Sequence, residues 1–259
     1  MLWSAHPTYL AWLIYMAASY ALLLAAKLWT DTGEGISLTQ ANFGKEQSFW
    51  QTVRGFLSNP MAAVFLTLVV AAWSVRVAIG RWHVLDLIAA VVTVGLWPFV
   101  EWIVHVGVLH SEPRTLFGIR IDSIFAKIHR AHHRHPYHPT FGVVPVTTLI
   151  QYFLIVPGII FLFLLWPRSF TMAAMAATLA FRYELWHYFY HSAYKPRSAW
   201  FRRLRDRHLW HHFQDEGYWF GVTTTGADVL LRTNPDPKSV PRGPTVRTVK
   251  SGGANAEQR

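Results

Sequence analysis

The sequence predicts an all-α integral membrane protein: about four to five transmembrane helices in hairpins, with a helical, histidine-rich cap on the cytoplasmic side. Three observations carry this reading. The chain is 52% hydrophobic but only 15% charged, against about 25% charged residues in ordinary soluble domains. Its apolar residues fall into runs that approach the 20 or so residues a bilayer crossing requires. Ten of its 14 histidines are gathered into four close-spaced clusters. The mean hydropathy of +0.20 agrees, and 13 Trp with a 15% aromatic share exclude a disordered chain. The absence of Cys excludes a disulfide framework, thiolate zinc sites, a Cys nucleophile and a Cys-ligated iron–sulfur cluster. A formal charge of +10 in so apolar a chain reads as the signature of a cytoplasmic membrane face, with no nucleic acid as partner.

The apolar runs come in order. Residues 9–26 form the first, closed by Lys27. It lacks the basic start and small-residue cleavage site of a signal peptide, so it is read as an uncleaved helix. Residues 61–80 form the second, in which Arg76 is expected to snorkel from near the end. The third is 87–100, extending to 84 and 109, and the fourth is 146–166, without a charge. The fifth, 170–181, continues as a helix towards Tyr190. The third and fifth become polar, as expected of helices that leave the bilayer and continue into water.

Short links at 81–83 and 167–169 pair these runs into hairpins and place segments 111–144 and 192–259 on one face. Arg114, Arg120, Lys127, Arg130 and Arg134 lie in the first of these segments. Lys195, Arg197, Arg202, Arg203, Arg205 and Arg207 lie in the second. Lys and Arg accumulate on the cytoplasmic side, so both segments are assigned there. The domain reading is a membrane helix and connecting segment over 1–60, a catalytic unit over 61–233, and a Pro- and Gly-rich disordered tail over 234–259.

Ten histidines form four clusters: His105 and His110; His129, His132 and His133; His187 and His191; His208, His211 and His212. Residues three and four apart share a helix face, so each His-x2-His-His can present three imidazoles together. His105 and His110 are five apart, which suits one α-helical face poorly; the pair either straddles a helix end or serves two different metals. Glu101 precedes the first cluster and Glu184 the third, so the chain carries a quasi-repeat of hairpin, Glu, spaced His pair, basic segment and His-x2-His-His. Two hairpins related by an approximate two-fold would bring the clusters to one place able to hold two metal ions, with Zn, Cu, Fe and Ni the first-row metals that suit imidazole. Glu101 and Glu184 could be ligands themselves, but are read first as carboxylates that orient imidazole N–H groups. His135 and His138, in His-Pro-Tyr-His-Pro, are further candidates for the surroundings of the site. His6 and His83 are left out of it.

The boxes resemble those of the fatty acid hydroxylase superfamily of integral-membrane diiron enzymes, and within it the fatty acid 2-hydroxylases of sphingolipid acyl chains. Glu101-Trp-Ile-Val-His105 through His110, Ile128-His-Arg-Ala-His-His133, Tyr183 through His191, and Arg207-His-Leu-Trp-His-His212 are similar to the four boxes. Phe220-Gly-Val-Thr-Thr-Thr followed by Asp228 resembles the stretch after the last. The sterol desaturase branch shows a shorter His-x3-His first box and ranks second. The resemblance implies two iron ions, O2, a lipid substrate and an electron donor on a separate chain, cytochrome b5-like or ferredoxin-like. It implies an enzyme of the bacterial inner membrane or endoplasmic reticulum whose ligands are the ten clustered histidines. A sterol or carotenoid oxygenase or desaturase on the same fold is the enzymatic alternative. A His-lined metal transporter is the other class, disfavoured because its ligands would line a path near the bilayer midplane. A metal-stabilised structural protein needs only four ligands.

Overall fold

The computed structural model describes residues 46–137, 167–244 and 246. The expected membrane runs at 9–26 and 146–166, together with His6 and His138, lie outside the described residues.

Helix α1, Phe49–Leu57, starts at a capping box: Ser48 Oγ accepts from the Gln51 amide, and the Gln51 side chain accepts from the Ser48 amide. Helix α2, Pro60–Ile79, is capped by Asn59, with Pro60 at its first position, and stops at Gly80 at φ 61°. After the short link, His83 and Asp86 cap α3, Val84–Val104, so His83 is a cap and not a candidate ligand. Both helices are long and apolar enough to cross a membrane, over Met61–Ile79 and Val84–Leu109. They are joined by the short link that the sequence predicts. The described residues are mostly helical, with two candidate membrane helices.

Helix α5, Arg168–His191, is about 36 Å long at 1.5 Å per residue. It packs against α2 and α3. Ala174, Ala177 and Ala180 lie along it at three-residue steps and meet Val64, Phe65, Leu68 and Ala72 of α2 and Trp97 of α3. Small residues at that spacing let helix axes approach closely, the packing that works where lipid removes the hydrophobic drive between helices. The opposite faces of α2 and α3 expose Val70, Val77, Leu87, Val91, Leu96 and Ile103. In water such a surface would be an aggregation liability; against acyl chains it is the expected lipid face of a membrane-associated protein.

Three expectations are corrected. Arg76 does not snorkel: it is fully buried, with Nη2 2.7 Å from Asp86 Oδ1, Nε donating to Thr171 Oγ1, Nη1 donating to the Gly80 carbonyl, and Cζ 3.8 Å from the centre of the Trp82 ring. A cation that finds an anion, two oxygen acceptors and an aromatic face inside the protein has no reason to seek the headgroups. The segment after His110 is not all helical either. Strands β1, Arg114–Leu116, and β2, Ile119–Ile121, pair antiparallel around Phe117 and Gly118, both at positive φ, the backbone of a tight hairpin. Finally, the tail does not begin at 234. Gly243 donates its amide to the Gln214 carbonyl, the Gln214 side chain donates to the Pro237 and Val240 carbonyls, and Arg207 donates to Asn234.

Besides α5, which ends on His187 and His191, the histidine-bearing elements are a π-helical turn, His105–Leu109; helix α4, Ile124–Arg134; and helix α6, Ala199–Phe213; the short α7, Gly226–Leu230, follows them.

Candidate metal centre

The ten clustered histidines converge into two groups of five. His105, His110, His129, His133 and His211 form one; His132, His187, His191, His208 and His212 form the other. Within each group the candidate ligand atoms all lie within 4.8 Å of one another. Consecutive residues on a helix point about 100° apart, so the His132–His133 pair on α4 splits between the groups, and so does His211–His212 on α6. The result is a reciprocal exchange. The first group takes the first box, two rings of the second and one ring of the fourth, and the second takes the third box, two rings of the fourth and one ring of the second. The rings of His133 and His212 stack at 4.2 Å where the groups meet.

His105 and His110 belong to one group, so of the two readings their spacing allowed, the pair straddles a helix end, that of α3, and does not divide between the groups. The reason is the π turn. His110 donates its amide to the His105 carbonyl at 3.0 Å, an i→i+5 bond in place of the α-helical i→i+4. That wider turn brings residues five apart onto one face.

The Nε2 atoms face inward. His129 Nε2 lies 3.1, 3.0 and 3.0 Å from those of His105, His110 and His133. In the second group His132 and His187 stand 3.1 Å apart, His191 and His208 2.8 Å, and His208 and His212 3.1 Å. His105 Nδ1 is 2.7 Å from the Phe220 carbonyl and His211 Nδ1 is 2.7 Å from the Tyr218 carbonyl. A carbonyl only accepts, so in both rings the proton sits on Nδ1 and Nε2 presents a bare lone pair. Several lone pairs aimed at a common point repel unless a cation lies between them. Adjacent nitrogens about 2.0–2.1 Å from one ion at right angles stand about 3 Å apart, which is the spacing seen. Burial holds His133 down to about 3 and keeps His129, His132, His208, His211 and His212 well below the ordinary 6.5. These rings are therefore neutral at pH 7, as ligands must be. The donor set suits first-row metals of the imidazole-binding kind.

The outer candidates fare differently. Glu101 is buried and accepts from Trp97 Nε1 at 2.5 Å, from the Thr223 amide at 3.1 Å and from Thr223 Oγ1. It orients backbone and not an imidazole directly. Glu184 is buried on α5 outside both groups. His135 is exposed just past α4, also outside both.

Sequence reasoning assigned no role to the strap at Tyr218–Thr223, which supplies the two carbonyls. Asp228 accepts from the Phe220 and Gly221 amides at 3.0 and 2.7 Å, and Tyr190 Oη donates to the Val222 carbonyl. The signal was Gly221. A Cβ there would run into the Thr224 carbonyl and lie 2.9 Å from Asp228 Oδ2. Gly221→Ala is therefore expected to displace the strap and cost about 1–3 kcal/mol, read as a lower thermal midpoint in detergent; an unchanged midpoint would refute the crowding.

The fatty acid hydroxylase family profile matches residues 90–233. Two dihydroceramide fatty acyl 2-hydroxylases of Arabidopsis thaliana are 24% and 27% identical over 205 and 212 residues, each alignment covering 75% of this chain and 80% of the relative. The fatty acid 2-hydroxylase of Mus musculus is 26% identical over 142 residues, 53% of this chain and 37% of that protein. Among solved structures, full-length Scs7p, of which the hydroxylase domain is visible, superposes with a TM-score of 0.51 at 19% identity, covering 76% of this chain and 70% of that one; the likeness is one of fold.

Proposed function

This chain belongs to the fatty acid hydroxylase family, and on that premise we propose that it hydroxylates carbon 2 of a lipid acyl chain, in a fatty acid or sphingolipid, using two iron ions held by its two histidine groups. The observation that carries the proposal is the convergence of ten imidazoles into two sets, each within 4.8 Å, inside the matched region. The relatives' named activities on fatty acids and dihydroceramide acyl chains support the substrate class.

Bound iron supplies O2 activation and the oxidant for an unactivated C–H bond, which no side chain can furnish. The chain's own residues do the rest. The imidazoles offer neutral lone pairs on four rigid elements, so little reorganisation is needed when metal enters. The buried Phe220, whose ring packs on His105, His110 and His211, excludes water on one side of the first group. The apolar faces of α2 and α3 let an acyl chain approach from the membrane while its polar head stays wet, and holding that chain in register decides which carbon reacts.

The catalytic unit is residues 61–233 in a multi-pass membrane protein, with the metal centre on the cytoplasmic side where Lys and Arg accumulate. The exposed Arg202 and Arg203 suit an acidic electron donor on a separate chain. Expression in a host lacking hydroxylated lipids tests the function. Lipid mass spectrometry should find 2-hydroxy acyl chains with the wild-type protein and none with His133→Ala. Metal-loaded wild type that yields none, or oxygenates a sterol ring instead, would overturn the reading.

A further inference from the structure

The surroundings of the two histidine groups are unequal. In the first group, His105 and His211 each donate Nδ1–H to a strap carbonyl at 2.7 Å, and His133 Nδ1 lies 3.3 Å from Glu216 Oε2. The strap is itself fixed. Asp228, wholly buried, holds the Phe220 and Gly221 amides, Glu101 holds the Thr223 amide, and Trp219 donates its amide to the Thr233 carbonyl at 2.8 Å. In the second group the Nδ1 atoms of His132, His191, His208 and His212 are buried without a hydrogen-bond partner among the described residues.

We infer that the two groups bind metal with unequal strength, the group of His105, His110, His129, His133 and His211 more tightly, because the Tyr218–Thr223 strap orients its rings. This rests on each group holding one ion, as proposed above. A ligating imidazole whose other N–H meets a carbonyl or carboxylate is locked in tautomer and ring angle and is a more basic donor. Loss of such outer partners costs 10- to 100-fold in metal affinity. The first group has two carbonyl partners and an adjacent carboxylate, and the carboxylate also favours a cation by its charge. Four rings of the second group have no such support, so they are freer to turn away and are poorer donors. Asp228 is a positioning residue in this scheme: it touches no imidazole, but it aims the Phe220 carbonyl at His105.

The test equilibrates the metal-loaded protein anaerobically in detergent against chelator-buffered Fe(II) and measures bound iron by mass spectrometry. The wild type is expected to lose iron in two steps, separated by about tenfold or more in free iron. His208→Ala/His212→Ala, which disables the second group, should keep the tight step. His129→Ala/His133→Ala, which disables the first, should keep only the weak one. Asp228→Asn retains all ten histidines and should move the tight step to higher free iron while leaving the weak step in place; it carries the test if a double variant does not fold. A single common midpoint, the reverse assignment, or an Asp228→Asn shift of both steps alike would overturn the inference and leave the two-metal reading standing. Wild-type protein that holds no iron at any concentration would overturn the metal-centre reading, and the inference with it.

Discussion

Truncating His212 to alanine should reduce hydroxylation by more than about 10³-fold, equivalent to about 4 kcal/mol or more of transition-state stabilisation, and lower the bound metal. The ring is almost wholly buried. Its Nε2 is 3.1 Å from that of His208, and its face stacks on His133 at 4.2 Å. Alanine therefore removes a donor from one group and the partner of a ring in the other. His133→Ala does the same from the opposite side, and the two substitutions should be equally damaging to turnover although they belong to different groups. A reaction that needs both ions does not distinguish which one is impaired. His135→Ala, outside both groups, should retain full metal and activity. Metal analysis beside product formation checks all three variants, and normal turnover in either of the first two would refute the cooperative centre.

Arg76→Ala should be the most destabilising single change away from the metal centre, by about 3–5 kcal/mol, the usual cost of stranding one partner of a buried ion pair. It strips Asp86 of its cation and leaves Thr171 Oγ1, which donates to Asp86 Oδ1 at 2.6 Å, without its own donor. Those contacts tie the end of α2 and the start of α3 to the start of α5. Replacing both charges, as in Arg76→Met with Asp86→Leu, should recover most of the loss, because no charge is then left unpaired. Asp86 and His105 are 19 positions apart on one continuous helical segment, about 28 Å at 1.5 Å per residue. Molecules that do fold should therefore keep their metal. Thermal unfolding in detergent measures the effect; a shift equivalent to less than about 1 kcal/mol would show that the network adds nothing to stability.

Much of this was legible in the residues because the informative signals are local. The apolar runs at 61–80 and 84–109 announce their helices by length, and i, i+3, i+4 histidines announce shared faces. What was not legible depends on contacts far apart in sequence or on a backbone that departs from the α-helix. Arg76 could be read only as a charge near a helix end until Thr171, 95 positions away, stood beside it. Glu101 could be placed near the histidines, but its true partner, Thr223, is 122 positions distant. The partition of ligands was closed to spacing arguments because adjacent histidines diverge to different groups. The strap left only Gly221 as a trace, since carbonyl oxygens have no letter of their own.

The π turn at His105–Leu109 also changes how the first box compares with the third. One additional residue, absorbed by a looser coil, lets His105 and His110 present their rings as a pair, as His187 and His191 do on an ordinary helix four positions apart. Counting letters between histidines thus misjudges kinship. A sequence with three intervening residues on a regular helix and one with four on a widened turn can furnish equivalent donors, so alignments of such proteins should tolerate a one-position gap there without inferring a different chemistry.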